Sequence, residues 1–144
     1  MKKIAILAAL TLALSGCAAT VNIEPAEDAN NPACAEVIVR LPSVVDTLEK
    51  RVTGAQSTGA WGTPTGVLLR CGLPAVEVSK LPCVTQGDVD WLVDASEAPS
   101  YRFITFGRTP AAEVIVDSKV ISGAATLDAL APAVQYLPSS KNCG

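Results

Sequence analysis

Five cysteines in a chain of 144 residues, the first closing an apolar leader, constrain this sequence more than any other feature. Met1, Lys2 and Lys3 make a short cationic start, and residues 4–14 are apolar or nearly so. As a helix that run spans about 16 Å, roughly half the hydrocarbon core of a bilayer, so it reads as the core of a secretory signal and not as a transmembrane span. An exported chain meets an oxidising environment, where Cys34, Cys71, Cys83 and Cys143 imply two disulfides in one of three connectivities. Proximity favours Cys71–Cys83, because Gly72, Pro74 and Pro82 let the chain turn back between them. Cys34–Cys143 then joins the two ends of the domain, which commonly lie close together. On a chain-entropy argument the two loops contribute about 3 and 4.7 kcal/mol. A zinc site or a reactive thiol is the alternative, and it lacks the paired C-x-x-C spacing.

The leader ends in Leu14-Ser15-Gly16-Cys17, which resembles the bacterial lipoprotein box. Small residues admit the extended chain to a peptidase, and the Cys17 thiol takes a diacylglyceryl group before cleavage exposes its amine. Two or three acyl chains, at about 0.8 kcal/mol per buried methylene, hold a protein stably where one chain is marginal. Residues 1–16 are therefore read as a lipoprotein signal peptide and Cys17 as the lipid anchor. Residues 17–31 carry Glu24, Glu27 and Asp28 with few large apolar side chains, which predicts a flexible acidic tether. Residues 32–144 show no second break in composition and read as one domain.

Within that domain Asn31 caps a helix and Pro32 fits its first turn. Cys34, Val37, Ile38 and Leu41 share one face of it, and Pro42 stops it. Residues 49–53 read as a short edge strand, and residues 54–62, with three glycines, as a loop. The apolar run at 67–69 predicts a central strand with both faces covered. Val89, Trp91 and Val93 alternate with Asp88, Asp90 and Asp94. Residues 101–106 and 112–117 are rich in β-formers, with Gly107-Arg108-Thr109-Pro110 as the hairpin turn between them. Leu127, Leu130, Ala131, Val134 and Leu137 recur at helical spacing, and Pro132 shortens or bends that helix. Helix, strands, helix in that order predicts an α+β fold: an antiparallel sheet with N- and C-terminal helices packed on one face, tied by two disulfides.

Composition excludes more than it selects. The absence of histidine removes the Ser-His-Asp triad, the Cys-His pair and every His-ligated metal site. A formal charge of −3, which loses two further positives with Lys2 and Lys3, argues against nucleic acid and against adhesion to an anionic lipid surface. Asp88, Asp90 and Asp94 miss the EF-hand pattern, because Leu92 and Val93 stand where a ligand and a glycine belong. No metal and no cofactor is expected. Ser79 and Lys80 are neighbours, so on a strand they point to opposite faces, and no one carboxylate pair stands out among fourteen acidic residues. No catalytic residue is assigned. Among Arg70, Arg102 and Arg108, Arg70 sits inside an apolar strand and needs a partner: Glu113, Asp90 or an anionic ligand. Trp61, in a glycine-rich stretch, is either an aromatic anchor displayed to a partner or a core residue.

Together these residues resemble a family of small actinobacterial lipoproteins, domain of unknown function 3515. The resemblance rests on Trp61-Gly62-x-Pro64 running into Leu69-Arg70-Cys71-Gly72, on Val89-Asp90-Trp91, on Thr105-Phe106-Gly107-Arg108, and on the leucine-rich helix before Cys143. It implies a membrane-anchored envelope protein of a Gram-positive-type cell and brings no reaction, cofactor or catalytic residue. The sequence thus reads as a non-enzymatic lipoprotein at the outer face of the cytoplasmic membrane, binding a protein partner or a wall component. Two alternatives stand beside it: a carrier or sensor of a small anionic envelope ligand, with Arg70, Arg108 and Trp61 as candidate binding residues, and a carboxylate-dependent hydrolase. The oligomeric state stays open.

Overall fold

Asn31 starts the first helix as its chemistry requires: its side chain accepts from Ala33 N at 3.0 Å, with Pro32 in the first turn. The structure, a computed structural model, describes residues 18–144, so the expected signal peptide and Cys17 lie outside the described residues. Helix α1 (Pro32–Ile38) is followed by β1 (Val44–Val45), β2 (Leu48–Arg51), β3 (Thr58–Trp61) and β4 (Val67–Leu73). Then come β5 (Cys83–Gln86), β6 (Val89–Asp94), β7 (Ser100–Thr105), β8 (Ala111–Asp117) and α2 (Gly123–Val134). Pro132 falls in the last turn of α2, where its missing N–H removes one hydrogen bond and the helix ends two residues on.

The strands form one sheet in the order β1-β2-β3-β4-β8-β7-β6-β5, with every neighbouring pair antiparallel. It consists of two up-and-down meanders, β1 to β4 and β5 to β8, joined where β4 pairs with β8. Val67, Leu69 and Cys71 of β4 and Ala112, Val114 and Val116 of β8 point to one face, into a core with Trp61, Trp91, Cys34, Val37, Leu127, Leu130 and Val134. Helix α2 touches β1 and β5 at the two edges and β8 in the middle, so the sheet curls around it. The expected antiparallel sheet with two helices and two disulfides is present.

Three expectations need correction. First, the stretch read as a loop contains β3. Gly59 marks a close approach rather than a turn: a Cβ there would lie 2.7 Å from Cη2 of Trp61 and 2.9 Å from Cδ1 of Leu41.

Second, the segment expected to be a flexible tether is docked on the domain from Ala19 onward. Val21 N donates to Val52 O, Gly54 N to Val21 O, Asp28 N to Gly72 O, and Ser57 Oγ to Ala29 O. Ala26 and Ala29 are buried. Small side chains bury little area, but they let a backbone lie close against a sheet and satisfy its polar groups there. Gly72, at φ +108°, makes the room, since a Cβ would fall 2.5 Å from the Asp28 carbonyl.

Third, the disulfides are Cys34–Cys71 and Cys83–Cys143, and neither Cys71–Cys83 nor Cys34–Cys143 forms. Cys71 and Cys83 are close in sequence but lie on strands four steps apart in the sheet, roughly 19 Å at the usual strand spacing, far beyond a disulfide's reach. Cys34, in the first turns of α1, instead lies over the core face of β4, with a Cα–Cα distance of 5.6 Å to Cys71. The C-terminal tail brings Cys143 to β5, 6.1 Å from Cys83.

Candidate functional site

The face of the sheet turned away from the helices holds the densest charge. Alternation along β4, β7 and β8 puts Arg70, Arg102 and Glu113 on that face, at the seam between the meanders. Arg70 stands directly opposite Glu113, while Arg102 reaches it diagonally from beside Ile115. Arg70 Nε donates to Glu113 Oε1 at 2.7 Å, and its Nη2 also meets that oxygen. Arg102 Nε donates to Oε2. Glu113 is only 1 % exposed, against 30 % and 41 % for the two arginine side chains. A carboxylate buried so deeply is tolerable because both oxygens are paired.

Beside this triad lies a groove of about 150 Å³ lined by Ile23, Leu68, Leu69, Arg70, Glu113 and Ile115. Asp94 faces Arg102 across β6 and β7. Its carboxylate accepts from Ser96 N at 3.0 Å, and the Ser96 side chain and backbone, helped by the nearby Arg102 charge, hold its pKa below the usual carboxylate value. Two guanidiniums thus share this face with two carboxylates. Of the three partners weighed for Arg70, the structure supplies Glu113.

The other two candidate binding residues face inward. Trp61 is fully buried, and its Nε1 donates to Pro42 O at 3.0 Å, so it is a core residue and not a displayed anchor. The room left by Gly59 explains why a tryptophan in a glycine-rich stretch turns inward. Arg108 is 8 % exposed. It donates to Gln135 O at 3.0 Å and Leu137 O at 2.6 Å, carbonyls just past the end of α2, and to Asp88 O at 3.0 Å in the turn between β5 and β6. Burial lowers its pKa from the ordinary guanidinium value, and the charge of Asp90 opposes that shift.

Asp90, weighed for Arg70, serves the tail: it accepts from Thr85 Oγ1 at 2.6 Å and from Cys143 N at 2.7 Å. Sequence reasoning missed Arg51, which donates to Gly62 O, Thr63 Oγ1 and Ala19 O. Its place in a short, highly charged strand carried no signal for that role. Among the described residues no three His, Cys, Asp or Glu side chains gather to hold a metal, and no helix is long and apolar enough to cross a membrane.

A protein-family model described as a protein of unknown function, DUF3515, matches residues 4–142. The chain belongs to that family. No curated protein and no solved structure matches it. Each stretch that carries the resemblance to DUF3515 has a framework task. Trp61 and Trp91 fill the core, Gly62 and Gly107 take positive φ in turns, and Cys71 is in a disulfide. Arg70 pairs with Glu113, Asp90 holds the tail, and Arg108 clamps α2.

Proposed function

We propose that this DUF3515 chain is an exported lipoprotein, anchored through Cys17 at the outer face of the cytoplasmic membrane. Its domain serves as a non-enzymatic module that binds an envelope protein or a wall component. One observation supports the anchor above all others: the four cysteines downstream take each other up in two disulfides, which leaves Cys17 to the lipid. A domain fastened by disulfides also suits an oxidising exterior. Cross-linking in living cells, beside a Cys17→Ala secreted control, tests the reading. The expected result is one dominant envelope partner captured only with the anchor in place. A hydrolytic activity of the purified domain, lost on one carboxylate substitution, would contradict it.

A second reading rests on the groove beside Arg70. Both arginines are partly exposed, and apolar walls from Ile23, Leu68 and Ile115 adjoin them, an arrangement suited to a small anion with an apolar tail. If such a ligand binds there, Arg70→Ala abolishes binding in a domain that still folds, since Arg102 keeps one oxygen of Glu113 paired. A loss of stability alone assigns Arg70 to the ion pair.

A further inference from the structure

The docked N-terminal segment fixes how the domain meets its membrane. Resting on the lipid-anchor reading above, we infer that one end of the domain lies directly on the phospholipid headgroups. That end is formed by the turn at residues 62–66, Val44 and the Lys119-Val120 corner. Ala19 O accepts from Arg51 Nη2 at 2.7 Å, and the same guanidinium donates to Gly62 O at 2.8 Å and to Thr63 Oγ1 at 2.9 Å, so Ala19 lies beside that turn. Val21 bridges Thr53 in parallel and Ala19 lies beside Arg51, so the chain from Val21 back to Ala19 runs along Thr53 to Arg51 in the direction of Glu49, whose carbonyl accepts from Gly62 N.

Cys17 is two residues from Ala19, a reach of at most about 7 Å. The headgroup layer is itself about 5–7 Å deep. An acylated Cys17 therefore leaves no slack for the domain to swing on. The same end exposes Pro64, Val44 at 45 % and Val120 at 42 %; Val120 sits over Gly66, where a Cβ would meet its Cγ1 at 2.7 Å. Lys50 and Lys119 are interspersed there with Glu49, Glu97 and Asp117, so contact is set by the short tether and not by attraction to anionic lipid. The opposite end, with Asp28, Pro74, Asp88 and the turn at 107–110, is presented outward to partners.

The test uses the full acylated protein in vesicles of phosphatidylethanolamine and phosphatidylglycerol, with a fluorophore on Val120→Cys or Lys119→Cys and, for the outer end, on Ala75→Cys. Quenching by headgroup spin-labelled lipid should be several-fold stronger at 119 and 120 than at 75. Added salt should leave the ratio unchanged. A Gly-Ser insert between Ala18 and Ala19 should bring the ratio towards one. Equal quenching at both ends, in protein that carries its acyl chains and floats with the vesicles, overturns the apposition alone. A Cys17 without acyl groups overturns the anchor and the apposition together.

Discussion

The two meanders share a plan and differ in how they are fastened. Both turn onto the seam through a glycine at positive φ followed by a Thr-Pro pair, Gly62 with Thr63-Pro64 and Gly107 with Thr109-Pro110. The first meander is held by the N-terminal segment, mostly through backbone hydrogen bonds and through Cys34–Cys71, whose two cysteines are fully buried. The second is held by the C-terminal tail, which adds to two backbone hydrogen bonds, Thr109 N to Pro138 O and Ser140 N to Gly107 O, a set of side-chain fasteners: Arg108 on the carbonyls after α2, Asp90 on Cys143 N, and Cys83–Cys143 at a half-exposed edge. Each end of the chain secures the half nearest to it in sequence, and the Arg70–Glu113–Arg102 triad secures the seam. The lesson is that stability here resides in three separate fasteners, which can be cut one at a time.

Cutting the disulfides gives the largest effect. They close loops of 37 and 60 residues, each worth about 4 kcal/mol on the chain-entropy argument. Paired Cys→Ser changes at 34 and 71 should lower the denaturation midpoint more than those at 83 and 143, because the first pair also leaves two hydroxyls in the core. Mild reductant should open Cys83–Cys143 first, a difference readable by alkylation and mass analysis.

At the seam, replacing Arg70 and Arg102 together by Met strands the buried Glu113 carboxylate and should cost about 3 kcal/mol in denaturant unfolding. Adding Glu113→Leu should recover most of that loss, because the stranded charge is then gone. In the second meander, Arg108→Met removes charge-assisted hydrogen bonds, with a cost of about 2 kcal/mol. Amide exchange should quicken at the end of α2 and in the tail, with β3 and β4 unaffected.

The smallest effect is at Asp94. Its folded pKa lies below the unfolded value, so its contribution is present above the ordinary carboxylate pKa and lost as the pH falls through the folded one. Asp94→Asn should therefore cost a little stability at neutral pH. The gap to the wild type should close as the medium is acidified below about pH 4.

How legible each part was follows the same divide. β6, β7, β8 and α2 announced themselves because alternation, β-branched residues and helical spacing are local signals. β3 was hidden because Gly59 answers to the Trp61 ring, a contact made only in the folded chain. β5, with Val84 and Thr85 exposed at the sheet edge, offers no apolar alternation to read. The disulfide pairing was misread for a topological reason: sequence proximity cannot reveal that three strands come between Cys71 and Cys83. At the seam, the need of Arg70 for a partner was legible and Glu113 was among those named, whereas the sharing of one carboxylate with Arg102 depends on register.

The most direct test of this account is peptide mapping, without reduction, of the mature protein taken from membranes. The account predicts a first residue at Cys17 carrying diacylglycerol, one linked pair from Cys34 and Cys71, and another from Cys83 and Cys143. An unacylated Cys17, or cross-links joining Cys71 to Cys83 and Cys34 to Cys143, would contradict it.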